Sequence, residues 1–150
     1  RNSNIQVLWQ CGKLYFDKLE KDLVGVEMGD IKLTKFVSKM DLAYSMADLI
    51  ISRAGASSVS ELCLVKKPTI LVPSPNVAED HQTVNAMALV NKNAAVLIRD
   101  VDAKKNLIST AIELMNNEAS QDELRKNIAV LGKPNATSDI VNSLEKIINR

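Results

Sequence analysis

Along the first hundred residues, short apolar or alternating runs are followed by segments in which apolar positions recur every three or four residues. Ile5 to Cys11 (IQVLWQC) alternates and predicts a strand; past Gly12, Leu14, Tyr15, Leu19 and Leu23 line one side of a helix. Ile31 to Val37 (IKLTKFV) alternates again, and Ser38 is placed to cap a short helix carrying Met40, Leu42, Ala43, Met46 and Ala47. Leu49 to Ile51 predicts a third strand, and a helix follows to about Val65, before the boundary at Pro68. Thr69 to Val72 (TILV) predicts a short buried strand closed by Pro73 and Pro75. A helix over Glu79 to Asn91, presenting Val84, Met87, Ala88 and Val90, then leads to a last strand at Ala95 to Ile98.

The remainder has only the helical period. Asp102 is a candidate cap for a helix with Leu107, Ile108, Ala111, Ile112, Leu114 and Met115 on one face. Ser120 with Glu123 has the spacing of a capping box for the next, which stops at Gly132 and Pro134. Thr137 is a candidate cap for the last, with Ile140, Val141, Leu144, Ile147 and Ile148 expected to face inward. Strands alternating with helices call for a parallel sheet covered on both faces. The expected fold is α/β, doubly wound, with a helical C-terminus, as one domain over residues 1–150. In such sheets ligands lie outside the carboxyl ends of the strands. The candidate site is therefore the rim formed by the loops at Phe36 to Ser38, Arg53 to Ser58 and Pro73 to Gln82.

Composition narrows this modestly. The 150 residues are 46% hydrophobic, which suits a globular domain with a real core. With 19 basic against 18 acidic residues and 3% aromatics, there is neither the field nor the stacking surface for nucleic acid. Cys11 and Cys63 lie in apolar stretches without metal-ligand spacing and read as buried thiols in a reducing compartment. No apolar run approaches the roughly 20 residues that span a bilayer, and no signal peptide is visible, so a soluble chain is expected. The chain opens on Arg1, with its first strand close behind, and reads as part of a longer protein.

The densest candidate chemistry lies in Asp48 to Glu61 (DLIISRAGASSVSE), a strand entering a helix through small residues. That geometry offers free N–H groups and the positive end of the helix dipole to a phosphate. Gly55 either supplies a positive φ or a close approach, or simply makes a tight connection. Arg53 either neutralises phosphate charge or is solvated at a strand end. Ser58 and Glu61 fit a capping box, the stronger reading from spacing alone, while Glu61 could instead accept two ribose hydroxyls. His81, the sole histidine, sits between Asp80 and Gln82 and either hydrogen-bonds a hydroxylated ligand or decorates a helix start. A lone histidine excludes a histidine-rich metal site, and no G-x-S-x-G elbow presents a serine nucleophile.

The combination R-A-G-A-S-S-V-S-E, P-T-I-L-V-P and E-D-H-Q-T-V-N-A, with F-V-S-K-M ahead of it, resembles the C-terminal domain of the MurG family over essentially the whole chain. These bacterial transferases add N-acetylglucosamine to lipid I. The resemblance implies a two-domain GT-B glycosyltransferase whose C-terminal half holds UDP-N-acetylglucosamine, with no cofactor or metal. It implies that Val37 meets uracil through its backbone and that Glu61 binds the ribose hydroxyls. Ala56, Ser57 and Ser58 match positions lining the diphosphate and sugar; His81 and Gln82 match a polar pair near the sugar hydroxyls, and Arg53 matches the motif arginine. For the whole enzyme it implies the bacterial cytoplasm, peripheral to the inner membrane.

Two parts of the family pattern are not in this sequence. The first strand with its G-G-S loop does not appear, which predicts an open or rearranged sheet. The N-terminal domain, which would carry the acceptor lipid I, the membrane surface and the general base, does not appear either. This fragment is therefore expected to hold no catalytic residue, to make no membrane contact of its own, and to bind donor without turning over. Competing expectations are a separate UDP-sugar-binding subunit of a two-subunit transferase, a GT-B sugar-nucleotide epimerase, and an interaction domain without a ligand.

Overall fold

A computed structural model of the chain describes residues 5–76 and 80–149. The elements follow the expected order: β1 (Val7–Gln10), α1 (Lys13–Asp22), β2 (Ile31–Thr34), α2 (Met40–Met46), β3 (Ile50–Ser52), α3 (Ala56–Val65), β4 (Thr69–Leu71), α4 (His81–Val90), β5 (Val96–Leu97), α5 (Asp100–Met115), α6 (Glu118–Ala129) and α7 (Ala136–Ile148). The strands pair in parallel within two sheets, β1 with β2 and β3-β4-β5. Parallel neighbours need a crossover, and α1, α3 and α4 supply one each. The predicted helix start at Glu79 falls outside the described residues.

The chain divides into two compact units, Arg1–Ser45 and Met46–Arg150. In the first, Val7 lies opposite Ile31 and Gln10 opposite Thr34. Gly12 turns β1 into α1 at φ 80, a conformation that glycine adopts without a Cβ clash. No described residue of this unit is buried. The loop after β2 is nevertheless held in several places. Lys35 Nζ lies 3.3 Å from Asp17 Oδ1 and 5.2 Å from the Phe16 ring centre, and the Val37 N–H donates to Gln10 Oε1 at 2.7 Å.

The second unit contains the core. Ile70, Val72, Ile98, Leu114 and Leu124 form one buried cluster, with Leu49, Val96, Ala103, Leu107 and Ala111 packed against it. β4 is the middle strand and all three of its residues are buried, as the unbroken TILV run predicts for a strand covered on both faces. α6 packs on α3 and α5, and α4 on α3 and β5. Gly132, just past α6, passes so close to α3 that a Cβ there would lie 2.9 Å from the Cys63 carbonyl oxygen.

Several local expectations are corrected. α3 starts at Ala56 with Gly55 as its N-cap, so Ser58 falls in the first turn and the Ser58–Glu61 capping box does not form. α5 starts at Asp100, which leaves Asp102 inside its first turn, paired with Arg99. Asn117, not Ser120, caps α6, its side chain accepting from the Ser120 N–H at 3.0 Å. Asn135, not Thr137, stands at the N-cap position of α7, without a side-chain cap bond. For α6 and α7 two polar residues two or three positions apart compete for the cap position, and spacing alone does not choose between them. Val84 points outward while Ala86 and Leu89 take the buried side of α4. Ile140, Val141, Leu144, Ile147 and Ile148, expected inward, are 47–79% exposed. Their stripe exists, but periodicity shows only that a helix has an apolar side, not what covers it.

Candidate functional site

Two of the three predicted rim loops, those after β3 and β4, meet in the second unit; the loop bearing Val37 belongs to the first. Three side chains join the pair. Arg53 Nη1 lies 2.5 Å from Asp100 Oδ1 and reaches the carbonyls of Val72 at 3.2 Å and Pro73 at 3.3 Å. Gln82 Oε1 accepts from the N–H of Ala54 at 3.2 Å and of Ser74 at 2.9 Å. Asn85 Nδ2 donates to the Ala54 carbonyl at 3.1 Å. Ala54, fully buried, is thus gripped at both of its backbone polar groups. Residues 77–79 of the loop after β4 lie outside the described residues.

The grip presents the start of α3. The first intrahelical bond is Val59 N–H to the Gly55 carbonyl at 2.9 Å, so the N–H groups of Ala56, Ser57 and Ser58 have no partner within the helix. Gly55, as its N-cap, brings no side chain to cap this end. Ala56 and Ser57 are exposed and Ser58 half-buried, so the helix delivers both donors and its positive dipole end to solvent. Gly55 has φ −63 and ψ 151, which any residue adopts, and a Cβ built on it meets only Ser58 Oγ at 3.7 Å. Neither a positive φ nor a tight approach within the protein accounts for this glycine, and the expectation that it supplies a positive φ is corrected.

The other predicted residues are distributed around this turn. Glu61 is exposed on α3, one helical turn past Ser57 and Ser58, with its carboxylate on the outer surface. His81 opens α4 and is exposed, next to Asp80, which stands at φ 53 and accepts from the Thr83 hydroxyl at 2.6 Å. Gln82 is half-buried because its oxygen is turned inward onto the two loops. Arg53, which the sequence leaves open between neutralising phosphate and solvation at a strand end, has part of its charge met by Asp100. Val37 has its N–H taken by Gln10, so a base contacting that N–H would have to displace a side chain.

Sequence reasoning missed Asp100, Asn85 and Gln10. Asp100 is 47 residues from Arg53, and nothing in linear spacing pairs them. Asn85 carried a usable signal: it lies three residues after Gln82 and is the sole polar residue from Val84 to Val90, which places two amides on one face. Cys63 is buried, and desolvation pushes its thiol above the ordinary value of 9.0. Cys11 is half-buried with Sγ 3.6 Å from the carbonyl oxygens of Gly12 and Thr34, and both thiols are unpaired by any disulfide. Among the described residues no group of three or more His, Cys, Asp or Glu side chains is placed to hold a metal ion. Among them, too, no helix is long and apolar enough to cross a membrane.

A family model described as the glycosyltransferase family 28 C-terminal domain matches residues 1–142. The chain belongs to that family. It is 52% identical over 149 residues to the UDP-N-acetylglucosamine--N-acetylmuramyl-(pentapeptide) pyrophosphoryl-undecaprenol N-acetylglucosamine transferase of Cytophaga hutchinsonii, covering 99% of this chain and 39% of that protein. It is 49% identical over 148 residues to the protein of the same description from Parabacteroides distasonis, again covering 99% of this chain and 40% of the relative. The chain therefore spans about two fifths of the length of these curated relatives. Among solved structures it superposes on Acinetobacter baumannii MurG with a TM-score of 0.80 at 28% identity, over 95% of this chain and 41% of that one. The glycosyltransferase family 28 chain thus has the α/β fold expected of it, the fold of the MurG C-terminal domain.

Proposed function

We propose that residues 1–150 are the donor-binding C-terminal domain of a two-domain N-acetylglucosaminyltransferase that converts lipid I to lipid II, and that the donor is UDP-N-acetylglucosamine. The observation that carries this reading is the start of α3. It is a helix N-terminus whose own N-cap is a glycine with no conformational task, held by Arg53, Gln82 and Asn85, in a chain about half identical to transferases of that description. A phosphate oxygen approaching Gly55 would use the space that a Cβ would fill.

In this reading Gly55, Ala56, Ser57 and Ser58 receive the diphosphate, Glu61 accepts the ribose hydroxyls, and His81 and Gln82 face the sugar. Arg53 contributes its remaining positive charge. The acceptor's sugar hydroxyl attacks the anomeric carbon from the face opposite UDP. A C–O bond forms, the bond to the β-phosphate oxygen breaks with its electron pair passing to UDP, and the proton goes to a base outside this chain. Charge that develops on the departing diphosphate is met by N–H groups already oriented in the protein, which is where such stabilisation is most effective. Lipid I would bind the other domain, and the whole enzyme would work at the cytoplasmic face of the bacterial inner membrane.

Calorimetric titration of the chain with UDP and with UDP-N-acetylglucosamine tests the reading, with saturable binding of both expected. Absence of binding to either would sink it. Glu61→Ala is expected to weaken UDP by about tenfold or more, in line with roughly 1.5–3 kcal/mol for hydrogen bonds to a charged group; unchanged affinity would remove Glu61 from the ribose.

A further inference from the structure

Gln82 and Asn85 stand three residues apart on one face of α4 and make contacts of opposite polarity with the same residue. Gln82 Oε1 takes the Ala54 N–H at 3.2 Å together with the Ser74 N–H at 2.9 Å, while Asn85 Nδ2 gives to the Ala54 carbonyl at 3.1 Å. Both backbone partners of Gln82 are donors, so its carboxamide presents oxygen to them; Asn85 faces an acceptor, so its carboxamide presents nitrogen. Neither amide turns over without losing its bond.

The consequence concerns peptide planes. The Ala54 N–H belongs to the Arg53–Ala54 peptide and the Ala54 carbonyl to the Ala54–Gly55 peptide, and each plane is rigid with N–H and C=O on opposite sides. By drawing the Ala54 carbonyl towards α4, Asn85 turns the Gly55 N–H to the other side, away from α4. Gly55 is the N-cap of α3, and its side-chain-free φ −63, ψ 151 backbone offers no steric resistance to rotation of that plane.

We propose that Asn85 is a positioning residue for the donor's diphosphate, aiming the Gly55 N–H through the Ala54 carbonyl without itself touching the ligand. The inference rests on the reading of this domain as the holder of a UDP-sugar. It gives Asn85 and Gln82 different tasks on one helix face: Asn85 orients, whereas Gln82 anchors with its oxygen and keeps its nitrogen for acceptor atoms of the sugar.

Asn85→Leu, close in size and without the donor, tests it in the same chain. UDP is expected to bind about tenfold more weakly while uridine, which lacks the diphosphate, stays within twofold. Equal losses for the two ligands, tracking a lowered melting temperature, would reveal a merely structural residue and overturn the proposal, as would unchanged UDP affinity. A crystal structure of the unsubstituted chain with UDP decides the matter even where the variant fails to fold. Asn85 Nδ2 on the Ala54 carbonyl with the Gly55 N–H within hydrogen-bond distance of a phosphate oxygen supports the proposal; Asn85 Nδ2 on the ligand overturns it. If the unsubstituted chain binds no UDP, the functional reading fails and the positioning role falls with it. UDP binding without the Asn85→Leu split defeats the positioning role alone.

Discussion

Gly55 separates fold from ligand more cleanly than any other residue of the turn. Alanine would gain up to about 1 kcal/mol from a stiffer unfolded chain and lose a similar amount as a poorer N-cap. Gly55→Ala should therefore leave the denaturation midpoint nearly unchanged, yet weaken UDP about tenfold or more by placing a methyl group where a phosphate would approach. A midpoint shift with intact UDP affinity would mean that the glycine serves the fold. Cys63 gives a residue-scale prediction with a definite sign. Burial raises its folded-state value above the unfolded one, so the folded state holds the proton more tightly. Stability is full below about pH 9 and declines as pH rises through the folded value. Replacing Cys63 by alanine should flatten that alkaline decline, measured as denaturation midpoint against pH. The residues of the turn were legible in sequence because small residues between a strand and a helix have few other uses. Their supports were not, because Asp100, Asn85 and Gln10 act across the fold, where only tertiary contact reveals a partner.

At the scale of elements, α3 and α6 depend on each other through one glycine. Gly132→Ala would press its Cβ against the Cys63 backbone carbonyl oxygen 2.9 Å away, where there is no flexible side chain to yield. We expect a loss of about 1–3 kcal/mol, read by chemical denaturation. The end of α3 offers the opposite change. Lys66 sits at φ 59, ψ 37, a left-handed position that disfavours a Cβ, so Lys66→Gly should gain about 0.5–1 kcal/mol in the same assay. The order and type of elements were legible, since runs such as TILV and the three-to-four spacing of Leu107, Ala111 and Leu114 each fit one kind of secondary structure. Helix starts were less so, because Asn117 and Ser120, or Gly55 and Ser58, are all acceptable caps within one turn. The inward side assigned to α7 failed for a different reason. Amphipathy is a property of one helix, and burial is a property of two surfaces.

For the whole molecule, the expected α/β alternation is realised as two parallel sheets rather than one. The units are unequal in kind. Met46–Arg150 contains the buried cluster built on β4, α5 and α6, whereas no described residue of Arg1–Ser45 is buried, and a lone strand pair is marginal in water. This difference has a kinetic meaning. Backbone amides along the β1–β2 pair, such as the Cys11 N–H just past β1 bonded to the Thr34 carbonyl at 3.1 Å, should trade their protons for deuterium orders of magnitude faster than the Ile98 N–H, bonded to the Leu71 carbonyl at 2.9 Å beside the core. A protease offered the folded chain should accordingly cut first between Val24 and Asp30, an exposed connection in the unit that opens at least cost, and leave a resistant core beginning near Met46.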